Sequence, residues 1–320
     1  MSGKRLALSA VLCLLPLLAG CIHKPLCFPK GELTPMQVRF DWSTADQPAE
    51  AMRVFFYSAD GSTEPIVYDL PGQTGGTVEL PEGTYQVAAY NTDTQNILYR
   101  PATTPHGLPD LLLSTIPSAI AQKLNLSLYG LRTDSATIYE TPDRICRAFL
   151  STLKVSPQEP AANRTVTLFP RECLYRLSYE VHGIQNLRSS ISYPMLASLG
   201  NVSDGYLIRQ GIYTDTPVQM LLPANNNSGT VVGSCSLFGV PQGSLKHLFS
   251  LYIYTEQGMQ VRTFDVTDQI PPLSPQDHTV HIHIQINTDW SLPEPIGGGT
   301  GGGFDPEVEE WEDEEEDLPL

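Results

Sequence analysis

The sequence predicts an all-β protein: two tandem antiparallel β-sandwich domains of transthyretin- or immunoglobulin-like type, followed by a flexible acidic C-terminal tail. Three observations carry this prediction. Segments rich in β-branched and aromatic residues, several alternating polar with apolar, recur between Gly and Pro turns. The 320 residues, less a short apolar leader, suffice for two domains of ordinary size. The composition then changes abruptly at Gly297, into a Gly-rich run and an acidic end.

The first strand is expected at residues 37–42 and the second at 52–57, where Val54, Phe55, Phe56 and Tyr57 follow one another. Asp60-Gly61 supplies the positive φ of a tight turn, and residues 66–70 return as a third strand. Residues 77–80 and 84–91 are expected as strands joined through Pro81-Glu82-Gly83. Residues 108–113, between prolines, read equally as a short helix or a buried loop. A strand is expected at 123–129, and a strand or a helix at 145–154. The polar, proline-rich stretch 156–160 is the expected inter-domain linker. The second domain then opens with strands at 164–169 and 173–181 and closes with strands at 248–254, 261–266 and 279–286. The expected organisation is therefore a leader at 1–20, a tether at 21–34, domains at 35–155 and 156–296, and a linker and tail at 297–320.

The leader reads as a lipoprotein signal peptide. Lys4 and Arg5 form its charged start, residues 6–18 its apolar middle, and Leu18-Ala19-Gly20-Cys21 a lipobox. Lipidation is expected at Cys21, with each buried methylene of the acyl chains contributing about 0.8 kcal/mol to anchoring. The apolar run is too short to span a bilayer, and Pro16 interrupts it. Ile22 rather than an aspartate follows the cysteine, which favours an outer-membrane address, on either its periplasmic or its cell-surface face. The formal charge is −16, and ten acidic residues lie within 305–317 without a basic one. Such a tail cannot bury enough apolar surface to offset chain entropy. An acidic body without a basic stripe excludes nucleic acid as a partner.

Chemistry-bearing motifs are few. The chain has no Gly-x-Ser-x-Gly, His-Glu-x-x-His, phosphate-binding loop or dinucleotide fingerprint, so neither an enzyme nor a cofactor is expected. His281 and His283 share one strand face and are the candidate metal ligands, with Asp277 and His278 nearby, but two imidazoles need a third ligand. Four cysteines remain beyond the leader and lipobox, Cys27, Cys146, Cys173 and Cys235, allowing three pairings. Cys146 with Cys173 is the candidate disulfide, and buried free thiols are the alternative.

Leu80-Pro81-Glu82-Gly83-Thr84-Tyr85 resembles the turn of transthyretin-like sandwiches that feeds a strand with an inward tyrosine. Phe40-Asp41-Trp42, the aromatic strand 54–57, Ala89-Tyr90-Asn91, Leu168-Phe169-Pro170-Arg171, residues 264–270 and His281-Ile282-His283-Ile284 resemble a Bacteroides-type lipoprotein family of unassigned function. That family is similar in layout to fimbrillin-type minor-fimbria anchor lipoproteins. The resemblance implies a non-enzymatic outer-membrane lipoprotein, acting as an anchor-like or accessory subunit of a fimbrial assembly. Its implied partners are the membrane, through the lipid, and fimbrial subunits or another surface protein. The competing reading is a surface glycan- or protein-binding module, which requires exposed aromatic residues on loops. Asp134-Ser135-Ala136 matches the O-glycosylation pattern of such exported proteins, with Ser135 the acceptor.

The lipid assignment predicts that Cys21→Ser moves the protein from the membrane to the soluble fraction on fractionation; membrane retention of that variant overturns it.

Overall fold

The computed structural model describes residues 32–294, except 62, 105–106, 125–136, 189–192, 242, 244–245 and 275–279. Cys21, Cys27, Ser135, His278 and the tail therefore lie outside the described residues. Five strands come first: β1 (Leu33–Phe40), β2 (Ala51–Ser58), β3 (Ile66–Pro71), β4 (Gly76–Pro81) and β5 (Gly83–Asn91). A hairpin of β6 (Ile97–Thr103) and β7 (Pro109–Thr115) follows, then helix α1 (Ala119–Lys123) and β8 (Ile138–Tyr139). The chain continues through β9 (Cys146–Val155), β10 (Thr165–Leu168) and β11 (Arg171–Glu172).

Eight of these strands form the two layers of a first sandwich, ordered β10-β1-β4 and β11-β9-β5-β2-β3. On β1 every second residue is buried, with Met36, Val38 and Phe40 turned inward, as a half-solvated strand requires. They meet Val54, Phe56, Val87 and Ala89 of the facing layer. Tyr85 points into this core and its hydroxyl donates to Pro81 O at 2.9 Å, locking the turn that precedes it. Gly61 has φ +67° at the expected hairpin turn.

The second half supplies β12 (Tyr175–His182), β13 (Met195–Ser203), β14 (Gly205–Leu207), β15 (Ile212–Tyr213), β16 (Pro217–Pro223), β17 (Asn225–Asn227), β18 (Thr230–Leu237), β19 (Leu248–Thr255), β20 (Gly258–Asp265) and β21 (His281–Asn287). Their sheets are ordered β17-β18-β12-β21, β20-β19-β13-β16-β8 and β15-β14-β7-β6. One continuous core fills this half, with Tyr179 and Phe249 in edge contact at 4.7 Å between ring centroids.

Several elements differ from expectation. Of residues 108–113, expected as a helix or a loop, 109–113 belong to β7, which pairs along its length with β6 and continues the sheet into β14. Pro101 is accommodated because β6 is an edge strand. The strand expected at 123–129 does not start at Lys123, the last residue of α1, which Ser118 caps by accepting from Ala121 N at 3.2 Å. Residues 145–154 resolve as strand β9. Residues 165–168, expected to open the second domain, form β10 and pair in parallel with β1 of the first sandwich. Stretch 156–160 leads from β9 in one layer of that sandwich to β10 in the other. Conversely β6, β7 and β8 join sheets of the second half.

Gly233 of β18 sits where β16 passes close by: a Cβ there would lie 2.1 Å from Pro223 O and 2.5 Å from Tyr179 Cε1. Gly233→Ala is expected to lower stability by about 2 kcal/mol through overpacking, read as a lower urea midpoint; an unchanged midpoint contradicts the packing described.

Candidate functional site

A densely bonded polar site lies where the first sandwich meets the β14–β15 turn. In the layer β11-β9-β5-β2-β3 the middle strands β2 and β5 are buried on both faces: Phe56 faces the first core, whereas Phe55, Tyr57, Ala88 and Tyr90 face the second. That second face carries a stack from Tyr57 through Phe55 and Tyr90 to Tyr99 of β6, with centroid separations of 5.8, 5.8 and 5.2 Å. Beside the stack, Arg147 of β9 donates to Ile208 O and, at 2.9 Å, to Arg209 O. Gly211 has φ +73° and a Cβ there would press on the Arg147 guanidinium at 2.9 Å, so this turn requires glycine.

Arg209 reaches back. Its guanidinium lies 4.5 Å over the Tyr57 ring and donates to Gln86 Oε1 at 3.0 Å and Pro109 O at 2.9 Å. Asp110 closes the arrangement by accepting from the backbone of Leu111 and Arg209, each at 2.7 Å, and from Gln210 Nε2 at 3.1 Å. Burial and the nearby Asp110 charge push the Tyr57 hydroxyl well above its ordinary pKa. This cluster binds two parts of the chain together: most of its polar groups bond to protein partners, while Arg209 Nη2 and the Tyr90 hydroxyl are buried without one. No sequence pattern marks it, because its members lie up to 123 positions apart.

A cavity of about 400 Å³ lies elsewhere, between residues 240–247 and 267–273, lined by Pro241, Lys246, His247, Ile270, Pro272 and others. Asn201, in left-handed conformation at φ +61° in a bulge of β13, donates to Lys246 O at 2.6 Å. His247 Nδ1 lies 3.3 Å from Gly200 O, which only accepts, so that nitrogen carries the proton. Burial lowers the His247 pKa from its ordinary 6.5.

The sequence-predicted residues are not brought together. His281 and His283 are exposed on β21; His283 Nδ1 lies 2.9 Å from Ser178 Oγ, and His281 pairs in register with Arg176. Among the described residues no group of three or more His, Cys, Asp or Glu side chains is placed to hold a metal. Cys146, Cys173 and Cys235 carry free thiols. Cys146 pairs across strands with Glu172, one residue before Cys173. Burial raises the thiols of Cys146 and Cys235 to about 12, and that of Cys173 also upward, so all three stay protonated at neutral pH.

A model of the family described as "Domain of unknown function (DUF5119)" matches residues 20–223. The chain belongs to this family. A curated Bacteroides ovatus protein named "Putative fimbrium anchoring subunit" is 23% identical over the full length of both chains to this DUF5119 member. A crystal structure described as a "putative adhesin" from Bacteroides ovatus superposes at a TM-score of 0.60, with 18% identity, over 82% of this chain and 94% of that one. The fimbrial anchor protein of Porphyromonas gingivalis aligns over 79% of this chain and 90% of that one at 10% identity, with a TM-score of 0.45, too low to establish a shared fold.

Asp110→Ala leaves several buried donors without an acceptor and is expected to cost about 3 kcal/mol, measured by urea unfolding; a loss under 0.5 kcal/mol contradicts the cluster's role. For His247, the unfolded chain binds the proton more tightly than the folded one, so its contribution is present above pH 6.5 and is lost as pH falls toward the lowered folded-state value. Stability is expected to fall between pH 7 and 5, and less steeply in His247→Gln; identical slopes overturn this assignment.

Proposed function

We propose that this protein is a non-enzymatic lipoprotein, held in the outer membrane through Cys21, that serves as an anchor-like or accessory subunit of a fimbrial assembly. The observation that carries the reading is the similarity to a fimbrium anchoring subunit along the whole of both chains. The lipobox supports the address, and no helix among the described residues is long and apolar enough to cross a membrane.

We infer the joining strand from the open sheet edges. β20 is an outer strand that pairs only with β19. Val266 N donates to His247 O in the same register, so even-numbered residues of β20 bond to β19. Met259, Val261 and Thr263 therefore turn their main-chain groups outward, as a template for an added strand. A carbohydrate platform instead needs exposed aromatic faces: none of the described Trp or Tyr residues is exposed, Trp290 being 8% exposed, and the exposed aromatic rings among the described residues are Phe149 of β9 and Phe169 just after β10, neither of which carries a polar group to bond a sugar.

The test is purification of the lipidated protein from its native membrane with its partners. Fimbrial subunits are expected to accompany the wild type, and Val261→Pro, which removes an outward N–H but no β19 bond, is expected to reduce their recovery at least tenfold. Wild-type protein that purifies without such subunits overturns the fimbrial reading; full recovery with Val261→Pro overturns only the β20 site.

A further inference from the structure

Two other outer strands carry a device that β20 lacks among the described residues. In β21 the even residues bond to β12, since Thr288 N continues the series to His182 O, and the odd residues face outward. At Gln285 both outward groups are taken by one side chain: the N–H donates to Gln269 Oε1 at 2.7 Å, and Gln269 Nε2 donates to the C=O at 3.1 Å. A primary amide offers the same donor and acceptor as a peptide group, so Gln269 stands in for one residue of a neighbouring strand. Its position is fixed by the 3-10 turn Thr267–Gln269, where Gln269 N donates to Val266 O at 3.0 Å and Thr267 N to Asp265 Oδ1 at 3.1 Å.

The first sandwich repeats the arrangement with different chemistry. Glu79 of outer strand β4 donates its N–H to the Tyr68 hydroxyl at 3.1 Å, and that hydroxyl donates to Glu79 O at 2.8 Å. Two positions further along the same outward row stands Pro81, which has no N–H to offer.

We propose that Gln269 is an edge lock, whose amide occupies the main chain of β21 and so keeps that strand from pairing with β21 of a second copy of this chain. A second copy is the occupant the strand fits. Residues 281–287 read His-Ile-His-Ile-Gln-Ile-Asn, alternating polar and buried apolar symmetrically about Ile284. Antiparallel pairing about a two-fold axis at Ile284 sets Ile282 against Ile286, His281 against Asn287 and His283 against Gln285. Every outward main-chain group, Gln285 included, then finds a partner in the other copy. The lock thus removes one of the residues that this pairing needs, which is how edge strands are kept from acting as templates.

The test uses the full chain with Cys21→Ser, followed by sedimentation velocity over a range of concentrations. The protein with Gln269 intact is expected to remain monomeric. Gln269→Ala, and Gln269→Met as a variant of the same length without an amide, are expected to dimerise at concentrations at least tenfold lower. Adding His283→Pro, which removes an outward N–H and no bond to β12, is expected to restore the monomer. Folding is checked by circular dichroism. Two folded Gln269 variants that stay monomeric over the same range overturn the proposal, as does a dimer that persists with His283→Pro.

Discussion

The structure depends on the two middle strands of one sheet, β2 and β5, being covered on both faces. Because Phe55, Tyr57, Ala88 and Tyr90 are as apolar as the residues facing the first core, β2 and β5 demand cover on both faces. The β6–β7 hairpin and the β14–β15 turn supply it, and this explains why strands that begin in the first half of the chain lie in sheets of the second. A covering turn brings backbone carbonyls into a dry environment, where unpaired groups are costly. Arg147 answers the carbonyls of Ile208 and Arg209, while Asp110 answers the N–H groups of the same segment. The pairing of apolar cover with a buried polar network gives a specific docking geometry rather than a merely greasy contact.

Strands with a solvated face were legible in the sequence, because their period of two is imposed by water on one side. β1 and β21 are of this kind. The turn at Asp60-Gly61 and the inward Tyr85 were legible for local reasons of backbone conformation and strand direction. What local pattern does not contain is the partner of each strand. The parallel pairs β1 with β10 and β12 with β21 join residues more than 100 positions apart, and no turn signal encodes them. Residues 108–113 were ambiguous because burial along β7 does not alternate, Leu111 and Leu112 being half-buried in succession, and the surrounding prolines masked an edge hairpin. The Arg147, Arg209 and Asp110 cluster was invisible for the same reason: each residue is unremarkable until the fold places it. His281 and His283 show the converse, since a suggestive spacing on one strand met no third ligand among the described residues.

Membership of DUF5119 and the shared fold with an adhesin-like structure fix the architecture, and the fimbrial reading extends it. For a subunit proposed to hold a filament at a membrane, the coupling of the two halves is the property that matters mechanically, because load entering one half must leave through the other. A joint made of stacked aromatic rings and charge-assisted hydrogen bonds resists separation in a way that a flexible linker does not. The outer strands then divide by function. On the proposed reading, β4 and β21, closed by a side chain or a proline, are protected edges, and the open β20 is the edge that would receive another strand.

The most direct test of this account is differential scanning calorimetry of the full chain with Cys21→Ser. Burial of β2 and β5 on both faces predicts that the two halves unfold together, in one transition whose calorimetric and van't Hoff enthalpies agree. Two separated transitions, each with its own enthalpy, would contradict it.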